Sequence, residues 1–150
     1  MTKTLFLDDL AVGQRFASTT SVTLTEADII AYAKQFDPQP FHTDPEAAKS
    51  TFFGGLAASG WHTAALSMRL LVDSSLHIAG GHIGAGGEIS WPRPTRPGDT
   101  LRVVYEIVEV KPSKSRPDRG MITVKAETLN QNDEVVQLFV VKMVVPRKVS

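Results

Sequence analysis

The feature that most constrains this chain is a run of apolar side chains that starts at Trp61 and continues to about His77. Ala64, Ala65, Leu66, Met68, Leu70, Leu71, Val72 and Leu76 fall around most of the circumference of a helix. A surface helix keeps one polar face, whereas a helix that is apolar nearly all round must be buried on nearly all sides. In a chain of 150 residues the natural wrapper is a curved antiparallel sheet.

The second half of the sequence supplies such a sheet. Leu101, Val103, Tyr105 and Ile107 alternate with Arg102, Val104, Glu106 and Val108, the period of a strand with one strongly buried face. Residues 121–129 form another strand, Asn130, Gln131, Asn132 and Asp133 a turn, and residues 135–145 a closing strand. Gly80, Gly81, Gly84, Gly86 and Gly87 read as a glycine-rich turn into a short strand over residues 88–91. Pro92, Pro94, Pro97 and Gly98-Asp99 mark a bend. The first half is mostly helical. Residues 14–24 suit a strand. Thr25 suits an N-cap with Asp28 three positions on, and Ile29, Ile30, Ala33 and Phe36 repeat at helical spacing. Pro38 disfavours helical geometry at Asp37 and ends that helix. Asp44-Pro45 starts a short second helix, and Ser59 suits a cap for the long one. Helices first and strands later give an α+β fold of about five antiparallel strands, in one domain spanning 1–150.

Composition excludes several classes of function. With no cysteine there is no disulfide, no thiolate metal ligand and no cysteine nucleophile. Sixteen basic and sixteen acidic residues cancel, and the densest basic segment, 111–119, is diluted by Pro112, Ser113, Pro117 and Asp118. That is a solvated loop and offers no footprint for nucleic acid or a membrane. Residues 1–9 lack the apolar core of a signal peptide, and no apolar run approaches the ~18 residues of a membrane span. A cytoplasmic location is expected. The four histidines show no paired ligand spacing, so no metal is expected.

Few groups remain for chemistry. In Asp37-Pro38-Gln39-Pro40-Phe41-His42, a carboxylate and an imidazole stand five residues apart on a loop stiffened by two prolines. Converging on one water, they would make an acid–base device. By spacing alone they are equally readable as a turn cap and a packed histidine. Gly60, at the head of the long helix, has a backbone N–H without a helical partner and no side chain to keep a carbonyl away. It is a candidate oxyanion hole. His62, on the first turn, reads as structural, and His77 as complementing the helix dipole.

These residues in this order resemble the MaoC-like dehydratase family, the hotdog (R)-specific enoyl-CoA hydratases. The family pattern Asp-x-Asn-Pro-x-His-x-Asp-Pro appears as Asp37-Pro38-Gln39-Pro40-Phe41-His42-Thr43-Asp44-Pro45. It is followed by Ala58-Ser59-Gly60-Trp61 and by residues 89–94 leading to Pro97-Gly98-Asp99. The resemblance implies a hotdog fold, a curved antiparallel sheet wrapped around the long helix. It implies reversible hydration of an enoyl thioester carried by CoA or acyl carrier protein, with no cofactor besides that substrate. Asp37 and His42 then match the catalytic pair, and Gly60 the amide that holds the thioester oxygen. Phe41, Ser59, Trp61 and Leu66 become candidate pocket residues, and Arg93 and Arg96 candidate donors to a CoA phosphate. Three positions depart from the pattern: Gln39 stands for Asn, Ser59 for a common His, and Met68 where the helix can carry a supporting Ser. Hotdog sheets pair edge to edge, so a homodimer or larger homo-oligomer is expected. A hotdog thioesterase and a non-catalytic acyl-thioester-binding subunit are the alternatives.

Overall fold

The computed structural model describes residues 3–148. Met1 and Thr2 of the N-terminal segment, and Val149 and Ser150 at the end of the expected 1–150 domain, lie outside the described residues. Four helices and six strands follow one another as β1 (Arg15–Ala17), β2 (Val22–Thr23), α1 (Glu26–Phe36), α2 (Pro40–Thr43), α3 (Pro45–Ala48), α4 (Gly60–Val72), β3 (Ile83–Ser90), β4 (Thr100–Pro112), β5 (Arg119–Leu129) and β6 (Val135–Pro146). The strands form one sheet in the order β1-β4-β5-β6-β3, with β2 also on β4, and every pairing is antiparallel. α4 lies against its inner face, the hotdog arrangement. None of the described helices is long and apolar enough to cross a membrane.

The alternation in β4 sets which face is inner: Leu101, Val103, Tyr105 and Ile107 are buried, while the residues between them are half-exposed. Ile122, Val124, Met143 and Val145 extend the same core across β5 and β6, and Ile29, Leu70 and Leu71 close it from the helices. α1 carries the expected N-terminal device. The Thr25 hydroxyl accepts from the Asp28 N–H, and the Asp28 carboxylate accepts from the Thr25 N–H. Asp44 caps α3 in a related way, accepting from the Glu46 and Ala47 N–H groups.

Four expectations need correction. The long helix ends at Val72, not near His77. Ser74 turns its hydroxyl back to the Leu71 carbonyl and onto the Tyr105 hydroxyl, and the chain leaves the helix there. Leu76 is still fully buried, but as part of the loop, and His77 caps nothing; its carbonyl accepts from the Leu5 N–H. The expected first strand is two short ones. Of the glycines of the expected turn, Gly80 and Gly81 precede β3 with positive φ, whereas Gly84, Gly86 and Gly87 lie inside it, with a register shift between Gly84 and Gly86. A side chain at Gly87 would stand 2.5 Å from the Val140 carbonyl, so glycine permits this strand to close on β6. Finally, the sheet does not wrap α4 completely: Trp61, Met68 and Val72 are 59%, 41% and 47% exposed along one stripe of the helix.

Candidate active site

Asp37 is the residue on which α1 ends. Its N–H still donates to the Ala33 carbonyl, but its backbone has left helical geometry ahead of Pro38. Its carboxylate is held on both oxygens. Oδ1 accepts from Gln39 Nε2 at 2.5 Å, and Oδ2 accepts from Ser59 Oγ at 2.8 Å. Gln39, the departure from the family's Asn, thus braces the carboxylate directly. Burial pushes the Asp37 pKa up, but the hydrogen bonds from Gln39 and Ser59 and the nearby His42 outweigh it. The carboxyl lies below its usual range.

His42 sits in the single turn of α2 and is 5% exposed. Its Nδ1 is 2.6 Å from the Ala57 carbonyl. A carbonyl only accepts, so Nδ1 carries a proton, and in the neutral imidazole Nε2 presents a lone pair. That Nε2 faces Asp37 Oδ2 at 3.4 Å, long for a hydrogen bond and short enough for both atoms to touch one water. Phe41 packs against the core and meets the His42 ring edge-on, and Phe53 packs against both rings. It braces the imidazole.

Ser59, expected as the cap of α4, occupies the N-cap position but makes no capping bond; its hydroxyl hydrogen is given to Asp37. Because no side chain covers the helix start, the Gly60 and Trp61 N–H groups donate to no acceptor among the described residues. Asp37, His42, Ser59 and Gly60 therefore converge. The fold ties them together through the Ala57 N–H, which donates to the Phe41 carbonyl, and the Ala58 N–H, which donates to that of Thr95.

A cavity of about 630 Å³ opens beside this cluster, with His42, Phe53, Gly60, Thr63, Trp91 and Arg93 among its walls. Asp37 does not line it; its Oδ2 is 3.4 Å from the Nε2 of His42, which does. Trp91 was not singled out from the sequence. Its ring lies so close to Gly60 that a Cβ there would stand 2.7 Å away. Nothing along the sequence pairs the two residues, and only folding brings them together.

The remaining candidates are placed differently. Arg96 is turned to the protein, its guanidinium donating to the carbonyls of Phe53, Gly55 and Leu56. It holds the loop above the cavity and is not the free phosphate donor expected. Arg93 is exposed, 3.0 Å from Glu134, and lies on the cavity wall. Trp61 is exposed and meets Trp91 edge-on. Leu66 is half-buried against the core. His62 stacks on Tyr32, and burial holds its pKa low against the opposing pull of Asp28. The hydroxyl missing at Met68 is found next door. Ser67 is buried and bonds to the Thr63 carbonyl and to Thr128 Oγ1.

The family described as "MaoC like domain" matches residues 9–130. The chain is 34% identical to the uncharacterized protein YdeM of Bacillus subtilis, over 85% of this chain and 89% of that one. Its structure is similar to that of the MaoC-like dehydratase from Rhodospirillum rubrum, with a TM-score of 0.94 and 58% identity over 97% and 99% of the two chains. It is also similar to the unliganded R-hydratase PhaJ1 from Pseudomonas aeruginosa, with a TM-score of 0.73 and 25% identity over 97% and 88%.

Proposed function

This chain belongs to the MaoC-like domain family, and from that premise we propose that it reversibly hydrates a trans-2-enoyl thioester, using Asp37 and His42 as the water-activating pair and the Gly60 N–H as the oxyanion donor. The observation that carries this reading is the Asp37 carboxylate 3.4 Å from His42 Nε2, with His42 on the wall of the same cavity as Gly60, whose N–H has no acceptor among the described residues.

In the hydration direction, the oxygen of a water held between Asp37 Oδ2 and His42 Nε2 bonds to Cβ. The double-bond electrons move toward the thioester carbonyl, and the charge that develops on its oxygen is met by the Gly60 N–H and the positive end of α4. The resulting enolate then takes a proton at Cα. A proton lost by the water as the C–O bond forms is taken up by the pair, and the pair delivers a proton to Cα, so the two residues end as they began. Dehydration runs the same steps backwards. Arg93, on the cavity wall and paired with Glu134, is our candidate donor to a CoA phosphate.

We take two copies to pair along β3. That strand bonds to β6 on one side only, and its open edge carries the half-exposed Ile83.

The direct test follows the enoyl-thioester absorbance of crotonyl-CoA. Wild type is expected to bleach it, and an equally well folded Asp37→Asn is expected to lose at least 100-fold in rate, the low end of what a positioned acid–base group contributes. Release of free thiol with no hydration would instead identify a thioesterase.

A further inference from the structure

Trp91 lines the cavity beside Gly60, but two side chains that it touches, Trp61 and Gln137, line a second groove of about 400 Å³ between α4 and the sheet. Ala64, Ser67, Met68 and Leu71 form one wall, spaced as a single face of the helix, and Phe139 and Val141 stand among the residues opposite. The walls are overwhelmingly apolar. Of the two polar side chains that line the groove, Ser67 has its hydroxyl engaged by the Thr63 carbonyl and Thr128.

Gln137 is different. It is 2% exposed, on the inner face of β6. An indole N–H can only donate, so the atom 3.0 Å from Trp91 Nε1 is the carboxamide oxygen, and this fixes which way the amide points. The –NH₂ end is left with two N–H donors, for which no acceptor appears among the described residues. Its nitrogen is not one of the sealed unpartnered atoms, which are His62 Nδ1 and His82 Nε2, so it keeps access to the groove that the side chain lines.

We propose that Gln137 is a specificity-determining residue: the groove takes the acyl portion of the thioester, and the Gln137 amide selects acyl groups that carry an oxygen acceptor over plain alkyl chains. This rests on the hydratase reading above for the class of ligand. Ala64, on the groove wall, lies one helical turn from Gly60, roughly 6 Å along the axis. Trp91 walls the cavity and Trp61, in edge contact with it, walls the groove, so an acyl chain held at Gly60 enters the groove past these two rings. A site built to donate a hydrogen bond discriminates against an analogue without the acceptor.

The test uses three saturated, unreactive ligands, hexanoyl-CoA and its 4-oxa and 5-oxa analogues, titrated calorimetrically into wild type, Gln137→Met and Gln137→Leu, with folding checked by thermal melting. Wild type is expected to bind at least one oxa analogue tenfold or more tighter than hexanoyl-CoA, and either folded variant to lose that preference while holding hexanoyl-CoA as well or better. Equal binding of all three by wild type, or a preference that survives removal of the amide, overturns the proposal. Crotonyl-CoA hydration run alongside separates the two readings. Turnover without an oxa preference removes the selectivity alone, whereas failure to bind any of the thioesters removes both.

Discussion

Ser59 has one hydroxyl hydrogen, and the fold directs it to Asp37 Oδ2 instead of to the start of its own helix. Two consequences meet in that choice. The carboxylate is kept ionised despite burial, and the helix N-terminus stays uncapped with its N–H groups unused. Ser59→Ala is therefore expected to let the Asp37 pKa rise toward the ordinary carboxylate range. The sign is definite. Asp37 titrates below its usual range in the fold, so its contribution to stability is present above that range and is lost as pH falls through the folded value. The chemistry also needs the ionised form. The acid limb of the kcat/KM profile should move to higher pH in Ser59→Ala, with KM little changed. An unmoved acid limb would show that Ser59 does not tune Asp37.

At the scale of elements, α4 and the end of β3 are fitted to each other through Gly60 and Trp91. A methyl group at position 60 would meet the indole at 2.7 Å to 2.9 Å. Overpacking of this kind costs about 1–3 kcal/mol, read as a fall of roughly 2–12 °C in Tm for a chain of this size. Gly60→Ala should show that loss in wild type and much less of it in a Trp91→Ala background, where the ring is gone. An equal loss in both backgrounds would mean that the helix start, not the indole, demands glycine. Trp91 and Gly60 line the same cavity, so the proposed reaction would take place at this junction.

For the whole molecule, the open question of the fold is its uncovered side. β3 ends the sheet with Ile83 51% exposed, and the exposed stripe of α4, Trp61, Met68 and Val72, is apolar as well. A lone copy with such an edge would be prone to unwanted pairing, and a second copy covers it by continuing the sheet. Light scattering at micromolar concentration is expected to give twice the chain mass for wild type and the chain mass for Ile83→Lys, which places a charge on that edge. A monomeric wild type would refute the pairing.

Much of this was legible along the chain because it depends on near neighbours. Thr25 with Asp28, Asp44 with Pro45, the stop before Pro38 and the alternation in β4 are short-range rules, and each stands in the structure as read. So does the proximity of Asp37 and His42, although the expected loop is a single helical turn at His42. Contacts across the fold were not legible. Ser59 looked like a cap because capping is the local use of a serine before a helix; only folding brings Asp37 near enough to claim the hydroxyl. Arg96 looked free because a guanidinium in a proline-rich bend has no local acceptor; the three carbonyls that hold it come from the loop at 53–56. The helix seemed to reach His77 because apolar periodicity continues through Leu76; the Ser74–Tyr105 contact, 31 residues apart, ends it. Gln137 gave no local signal at all, since the orientation of its amide is decided by an indole 46 residues away. The sequence by itself determined most helices and strands and the nearness of Asp37 to His42, because those follow from local sterics and periodicity. Which polar groups are engaged and which are left free was decided only by tertiary structure, because hydrogen-bond partners are allotted by long-range packing.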